Sequence, residues 1–207
     1  SETVHIRELL KELHLPAMRE NFEQKASEAL QEQSGYLTFL QELLEVECTQ
    51  RRQKSVQRRL RESNLPLEKS FDTFEMERLP QKLKHQIKVL RDGSFLDRCE
   101  NVLAFGAPGT GKSHLLAALG QELVRGGKRV YFTSTSLIVQ ELLRAKSELR
   151  LDKHIKKLTC FDALIIDDIG YVQQDRQEME VLFTLLAARY ERGSVMITSN
   201  LQFSKWE

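Results

Sequence analysis

Residues 106–113 read GAPGTGKS, a full match to the pattern G-x-x-x-x-G-K-[ST]. Each residue type there answers a physical need. Gly106, Gly109 and Gly111 let the backbone curl so that successive N–H groups point inward at phosphate oxygens. Lys112 adds a full positive charge within reach of the outer phosphates. Ser113 supplies a hydroxyl suited to Mg²⁺. With Ala107, Pro108, Thr110 and His114 these residues form the candidate nucleotide-binding set. Average residue usage yields this pattern by chance about once in a hundred chains of this size.

Two further features bear on the same chemistry. Ala163–Asp168 reads ALIIDD, an apolar run that ends in two carboxylates. In an open parallel sheet, ligands bind at the carboxyl ends of the strands. Asp167 is therefore expected beside Ser113 as the second metal-side residue, and Asp168 is expected to polarise the attacking water or act as general base. A later run, SVMITS at 194–199, leads into Asn200, a polar residue suited to orienting the water and sensing the terminal phosphate. Lys112, Asp168 and Asn200 are the candidate catalytic residues; Ser113 and Asp167 are the candidate metal ligands.

The elements that must position these groups follow from periodicity. NVLAF (101–105), RVYFT (129–133), FDALIID (161–167) and SVMITS (194–199) read as short strands. Helical patterns separate them at 112–125, 134–146, 151–158 and 175–192. Alternation of this kind predicts a parallel sheet with helices on both faces. Upstream the chain is all helical. Ile6, Leu9, Leu10 and Leu13 share one helix face, Met18, Phe22, Ala26 and Ala29 another, and Leu37, Leu40, Leu44 and Cys48 a third. Residues 67–100 are expected to be a connector with one helix, stopped near Gly93. This gives a helical N-terminal domain at 1–66, a connector and start of the ATPase domain at 67–100, and an α/β core at 101–207.

GAPGTGKSHLLAALG, FDALIIDDIGYVQQD, LFTLLAARYERGS and MITSNLQFSKW together resemble the IstB-like ATP-binding proteins. HLPAMRENFE, SNLPLEKSFDTFE and GSFLDRCENVLAFG extend the resemblance over essentially the whole chain. These are AAA+ helpers of transposition in a bacterial insertion-sequence family, similar to replicative helicase loaders of the DnaC type. The resemblance implies a P-loop AAA+ fold, ATP and Mg²⁺ as cofactors, self-assembly on double-stranded DNA, and a cognate transposase as partner. It also implies a bacterial cytoplasmic setting. The family pattern commonly carries Glu where Asp168 stands. The shorter side chain sets its carboxylate back by about one methylene, so slower or water-relayed hydrolysis is expected. A complete core of this kind runs through a further strand with an arginine that reaches a neighbour's ATP, and neither is expected within these 207 residues. Arg189 and Arg192 precede the last strand and are not assigned that role.

The balance of 31 basic against 30 acidic residues gives a net charge of only +1, yet the charges segregate. Residues 51–61 hold six cations and no acid, including Arg51, Arg52, Arg58 and Arg59, directly after three glutamates at 42–47. Residues 144–157 hold Arg144, Lys146, Arg150, Lys153, Lys156 and Lys157 against Glu148 and Asp152. The second stretch lies between the second and third strands, where helicase-loader-like proteins place a helix along the DNA path. Both are candidate DNA-backbone contacts, with a solvated helix face as the alternative. No aromatic residue interleaves the cations, so base stacking is not indicated.

The remaining features exclude more than they assign. No apolar run of 18 residues exists, so no membrane span is expected. Cys48, Cys99 and Cys160 fit no metal spacing and read as reduced thiols. His5, His14, His85 and His154 show no paired spacing, and His114 reads as packing or solvent-facing. Phe71, Phe74 and Phe95 read as core, with a nucleobase floor as the alternative. No N-K-x-D guanine signature occurs. A helicase loader, a small-molecule kinase and an ATP-gated binding module with negligible turnover remain the competing readings.

Overall fold

The computed structural model describes residues 2–170 and 175–200. It divides into two compact units, residues 1–58 and 59–207. The boundary falls inside a helix, ahead of the Asn64-Leu65-Pro66 break.

The first unit contains α1 (Glu2–Glu12), α2 (Pro16–Gln31) and most of α3 (Tyr36–Glu62). Pro16 opens α2, where a missing N–H costs nothing. No local side chain caps that end. The orphan amides of Ala17 and Met18 instead donate to Oε2 of Glu47 on α3, at 2.8 and 3.0 Å. Glu47 is only 3% exposed, and its Oε1 accepts from Arg51 Nε at 2.8 Å. Burial opposes its ionisation, but Arg51 and the two amides outweigh that and hold the carboxyl below its ordinary value.

Leu10, Met18, Phe22 and Leu43 form the small core, with Leu15 and Phe39 against them. The helices are where periodicity places them, but two faces differ. On α1 only Leu10 is buried, while Ile6, Leu9 and Leu13 are exposed. On α3 the core takes Phe39, Leu43 and Glu47, while Leu37, Leu40, Leu44 and Cys48 face outward. Two stripes compete on α3, and the one carrying the cap of α2 is the one that packs.

The second unit is an α/β layer structure. Its strands are β1 (Val102–Phe105), β2 (Val130–Ser134), β3 (Ala163–Ile169) and β4 (Ser194–Ser199), all parallel in the order β1-β4-β3-β2. Between them run α6 (Lys112–Arg125), α7 (Thr135–Ser147), α8 (Leu151–Thr159) and α9 (Arg176–Arg189). Ahead of β1 lie α4 (Gln81–Leu90) and a short α5 (Ser94–Asp97), the latter not anticipated from sequence.

Side chains alternate along a strand, so each strand feeds two layers. Leu164, Ile166, Val195 and Ile197 join Ile138, Leu142, Ile155, Val181 and Leu185 in one core beneath α7, α8 and α9. Ile165 points the other way, toward α6. A Cβ at Gly120 of α6 would stand 2.9 Å from Ile165 Cδ1 and 2.8 Å from Leu65 Cδ2, so a larger residue there would have to push these two side chains aside. Helices therefore cover both faces: α6 follows β1 on one, and α9 packs on the other. In an open parallel sheet of this kind, ligands bind outside the carboxyl edge.

Candidate functional site

The loop at 106–111 leaves β1 at this edge and enters α6. Gly109 and Gly111 sit at φ +77° and +85°, in the left-handed region where a side chain is strained. Gly111 is the N-cap of α6, so the loop delivers its ligand to the positive end of a 14-residue helix. Lys112 Nζ donates to the carbonyl of Ala107 at 2.8 Å, and Thr110 Oγ1 donates to the same carbonyl at 2.8 Å. Ala107, Pro108, Gly109 and Thr110 are exposed, and Lys112, Ser113 and His114 are half-buried.

The side chain of His114 turns away from the loop. Its Nε2 lies 2.9 Å from the carbonyl of Ser70 and 3.1 Å from Thr73 Oγ1. A carbonyl only accepts, so Nε2 carries the proton. Phe74 stacks edge-on against the ring at 5.2 Å, and Phe71 lies under Arg91 at 4.6 Å. Gln121, two turns further along α6, donates to the carbonyls of Pro66 and Lys69 at 3.1 and 3.0 Å. Residues 66–74 are thus strapped along the helix that bears the loop. Phe95, by contrast, is core at 3% exposure.

The sheet brings the other candidates to the same edge. Phe105 pairs with Ser199, and Gly106 N donates to Ser199 O at 3.3 Å, so the loop begins beside the end of β4. On the far side of β4, Ile166 pairs with Ile197 and Ile169 with Ser199. Asp167 and Asp168 therefore stand opposite Thr198 alone, in a β-bulge. Asp168 takes φ +68°, rare for a residue with a side chain. Asn200 Nδ2 donates to Asp168 Oδ1 at 3.1 Å. Thr198 Oγ1 donates to Asp167 Oδ1 at 2.5 Å and accepts from the Asp168 amide at 2.8 Å. Thr135, at the start of α7, donates to the Asp167 carbonyl at 3.0 Å. Sequence reasoning missed Thr198, Thr135 and Gln121, which are ordinary residue types whose partners appear only once the strands are in register.

The donor set fits Mg²⁺ better than a metal caged by protein alone. No cluster of three or more His, Cys, Asp or Glu suited to a metal occurs among the described residues. Mg²⁺ usually keeps waters and takes one or two protein groups plus phosphate oxygens. The hydroxyl of Ser113 and the carboxylate of Asp167 are groups of that kind.

The basic stretch at 144–157 falls on the end of α7 and on α8. Three of its cations are paired: Arg144 and Arg150 with Glu148, and Lys146 with Glu180. Lys153, Lys156 and Lys157 are exposed and rim a groove of about 520 Å³ with Arg150 and His154. In the other stretch, Arg51 is held by Glu47 and by the carbonyl of His14 at 2.5 Å. Arg59 donates to the Gly127 carbonyl at 2.5 Å. Arg52 and Arg58 are exposed on α3.

Tyr171–Gln174 and Leu201–Glu207, which complete the IGY and S-x-W motifs, lie outside the described residues. Among the described residues the cysteines are free thiols, and no helix is long and apolar enough to cross a membrane.

Comparison with solved structures supports the fold. The DnaC helicase loader superposes with a TM-score of 0.60 at 23% identity, over 67% of this chain and 80% of that one. The replication initiator DnaA bound to AMPPCP and single-stranded DNA gives 0.57 at 18% identity, over 70% of this chain and 46% of that one. The β1-β4-β3-β2 sheet with its loop thus shares the fold of these two proteins. Among curated relatives, an insertion-sequence ATP-binding protein of Sinorhizobium fredii is 42% identical over 96% of this chain and 67% of its own length. The ATP-binding protein of insertion sequence IS5376 from Geobacillus stearothermophilus is 36% identical over 97% of this chain and 80% of its own length. That of IS21 from Pseudomonas aeruginosa is 34% identical over 96% and 75%. The model of the IstB-like ATP binding protein family matches residues 8–207, and the chain belongs to that family.

Proposed function

We propose that this chain is an ATP-hydrolysing, DNA-binding helper of transposition, which assembles with copies of itself on double-stranded DNA and engages a cognate transposase. One observation carries the nucleotide half of this reading. The glycine loop on α6, the Asp167–Asp168 bulge and Asn200 converge on one edge of the sheet. There, loop amides and the helix end would hold the phosphates, and Lys112 would leave the Ala107 carbonyl for the outer phosphates. Ser113 and Asp167 would hold Mg²⁺, which neutralises phosphate charge when bound. Asp168, fixed by Asn200, would take the proton of the attacking water, releasing ADP and phosphate.

The DNA half rests on α8. Lys153, Lys156 and Lys157 have no ion pair among the described residues and lie together on one exposed face, which suits a phosphate backbone. The insertion-sequence relatives supply the link to transposition. A second reading, nucleotide-gated binding with negligible turnover, is favoured by the Asn200 bond. It occupies one oxygen of a carboxylate already shorter than the family's usual glutamate.

Nucleotide binding and turnover in three proteins test the proposal. Lys112→Ala should weaken ATP binding at least about tenfold. Asp168→Asn should bind ATP within about twofold of the parent while turnover falls about 100-fold. Unchanged ATP affinity in Lys112→Ala would remove the loop from the function, and unchanged turnover in Asp168→Asn would place the base elsewhere.

A further inference from the structure

We infer that Thr198 is the positioning residue of the acidic pair, and that its single hydroxyl sets the geometry of the metal-side carboxylate and the water-side backbone together. The inference rests on the nucleotide reading above. Thr198 is 1% exposed and lies on β4 directly opposite the bulge. A hydroxyl has one proton to give and two lone pairs. This one gives its proton to Asp167 Oδ1 at 2.5 Å and accepts the Asp168 amide at 2.8 Å. The first bond fixes the rotation of the Asp167 carboxylate and leaves Oδ2 unbonded among the described residues. The second satisfies the amide of a residue at φ +68°, a backbone state that persists only where the surroundings over-determine it.

No other side chain bonds both aspartates among the described residues. Asn200 reaches Asp168 alone, through its carboxylate. Thr135 reaches Asp167 alone, through its carbonyl. Removing the hydroxyl but keeping the shape would free the Asp167 carboxylate to rotate and take from the Asp168 amide its acceptor. Partners that orient a metal's ligands are worth about 10–100-fold in metal affinity. The defect should therefore appear in the metal-dependent part of nucleotide binding and not in the part supplied by the loop.

The test is a Mg²⁺ titration of ATP binding by the full chain, repeated with Mn²⁺ followed by electron paramagnetic resonance. Thr198→Val should need about tenfold more Mg²⁺ than the parent, while its ATP affinity in EDTA stays within about twofold. Thr198→Ser, which keeps the hydroxyl, should restore the parent's Mg²⁺ dependence. Thr198→Val added to Asp167→Asn should cost nothing further, because its effect runs through that carboxylate. Should Thr198→Val not fold, Thr198→Cys carries the same test, with an intermediate loss expected from its weaker hydrogen bonds. A Mg²⁺ dependence equal to the parent's in the folded variant overturns the inference. So does equal loss with and without Mg²⁺, or no rescue by serine. Lys112→Ala in EDTA separates the two levels. If it binds ATP as the parent does, the nucleotide reading fails. If it loses ATP while Thr198→Val matches the parent, only the role of Thr198 fails.

Discussion

Buried polar groups do different work at the two edges of the sheet. At the amino edge, Arg189 is 1% exposed and donates to the carbonyls of Leu158, Phe161 and Ser194 at 2.9, 3.0 and 2.9 Å. Burial pushes its guanidinium down to about 10, against the pull of Asp162, and it stays charged at neutral pH. It ties the end of α8 to the starts of β3 and β4. Arg189→Met should lower the unfolding free energy by about 2–4 kcal/mol in urea titrations, because its carbonyl acceptors lose a charged donor. A loss within about 0.5 kcal/mol would show that they find other partners.

At the carboxyl edge stand the groups proposed to serve chemistry, and these were the more legible. Gly106 to Ser113, Asp167, Asp168 and Asn200 are readable in sequence because phosphate binding demands fixed types at fixed spacing. Thr198 and Arg189 are not, since their roles depend on a bulge and on a carbonyl cluster that exist only after strand pairing.

Among the elements, α2 and α3 show a helix start capped from a distance. Glu47 does for α2 what a local Ser or Asp usually does. Its carboxyl is held below its ordinary value, so its stabilisation is complete above the unfolded value of about 4.3 and is lost as pH falls through the lower folded value. Glu47→Gln should therefore destabilise the α1–α3 unit at pH 7 by about 1–3 kcal/mol, and the gap between parent and variant should close below about pH 4. Thermal unfolding followed by circular dichroism at several pH values checks this. A gap independent of pH would mean that the cap works without its charge. Periodicity located these helices, but it could not choose between the two apolar stripes of α3, because a buried glutamate decides the matter. The strands were easier, since each is a short apolar run bounded by turn residues.

For the whole molecule, a net charge of +1 conceals an exposed lysine face on α8. Replacing Lys153, Lys156 and Lys157 with alanine should make the salt dependence of duplex binding shallower by up to about 2.7 in log–log slope, at about 0.9 for each phosphate no longer neutralised. An unaltered slope would assign the DNA to another surface. We propose that nucleotide state governs DNA binding. The most direct test is fluorescence anisotropy of labelled duplex DNA at fixed salt with Mg²⁺-ATP, Mg²⁺-ADP or no nucleotide. Binding should be at least about tenfold tighter with ATP than in the other two states, a coupling of about 1.4 kcal/mol, and Lys112→Ala should abolish the difference. Equal affinity in all three states for the parent protein would contradict the account.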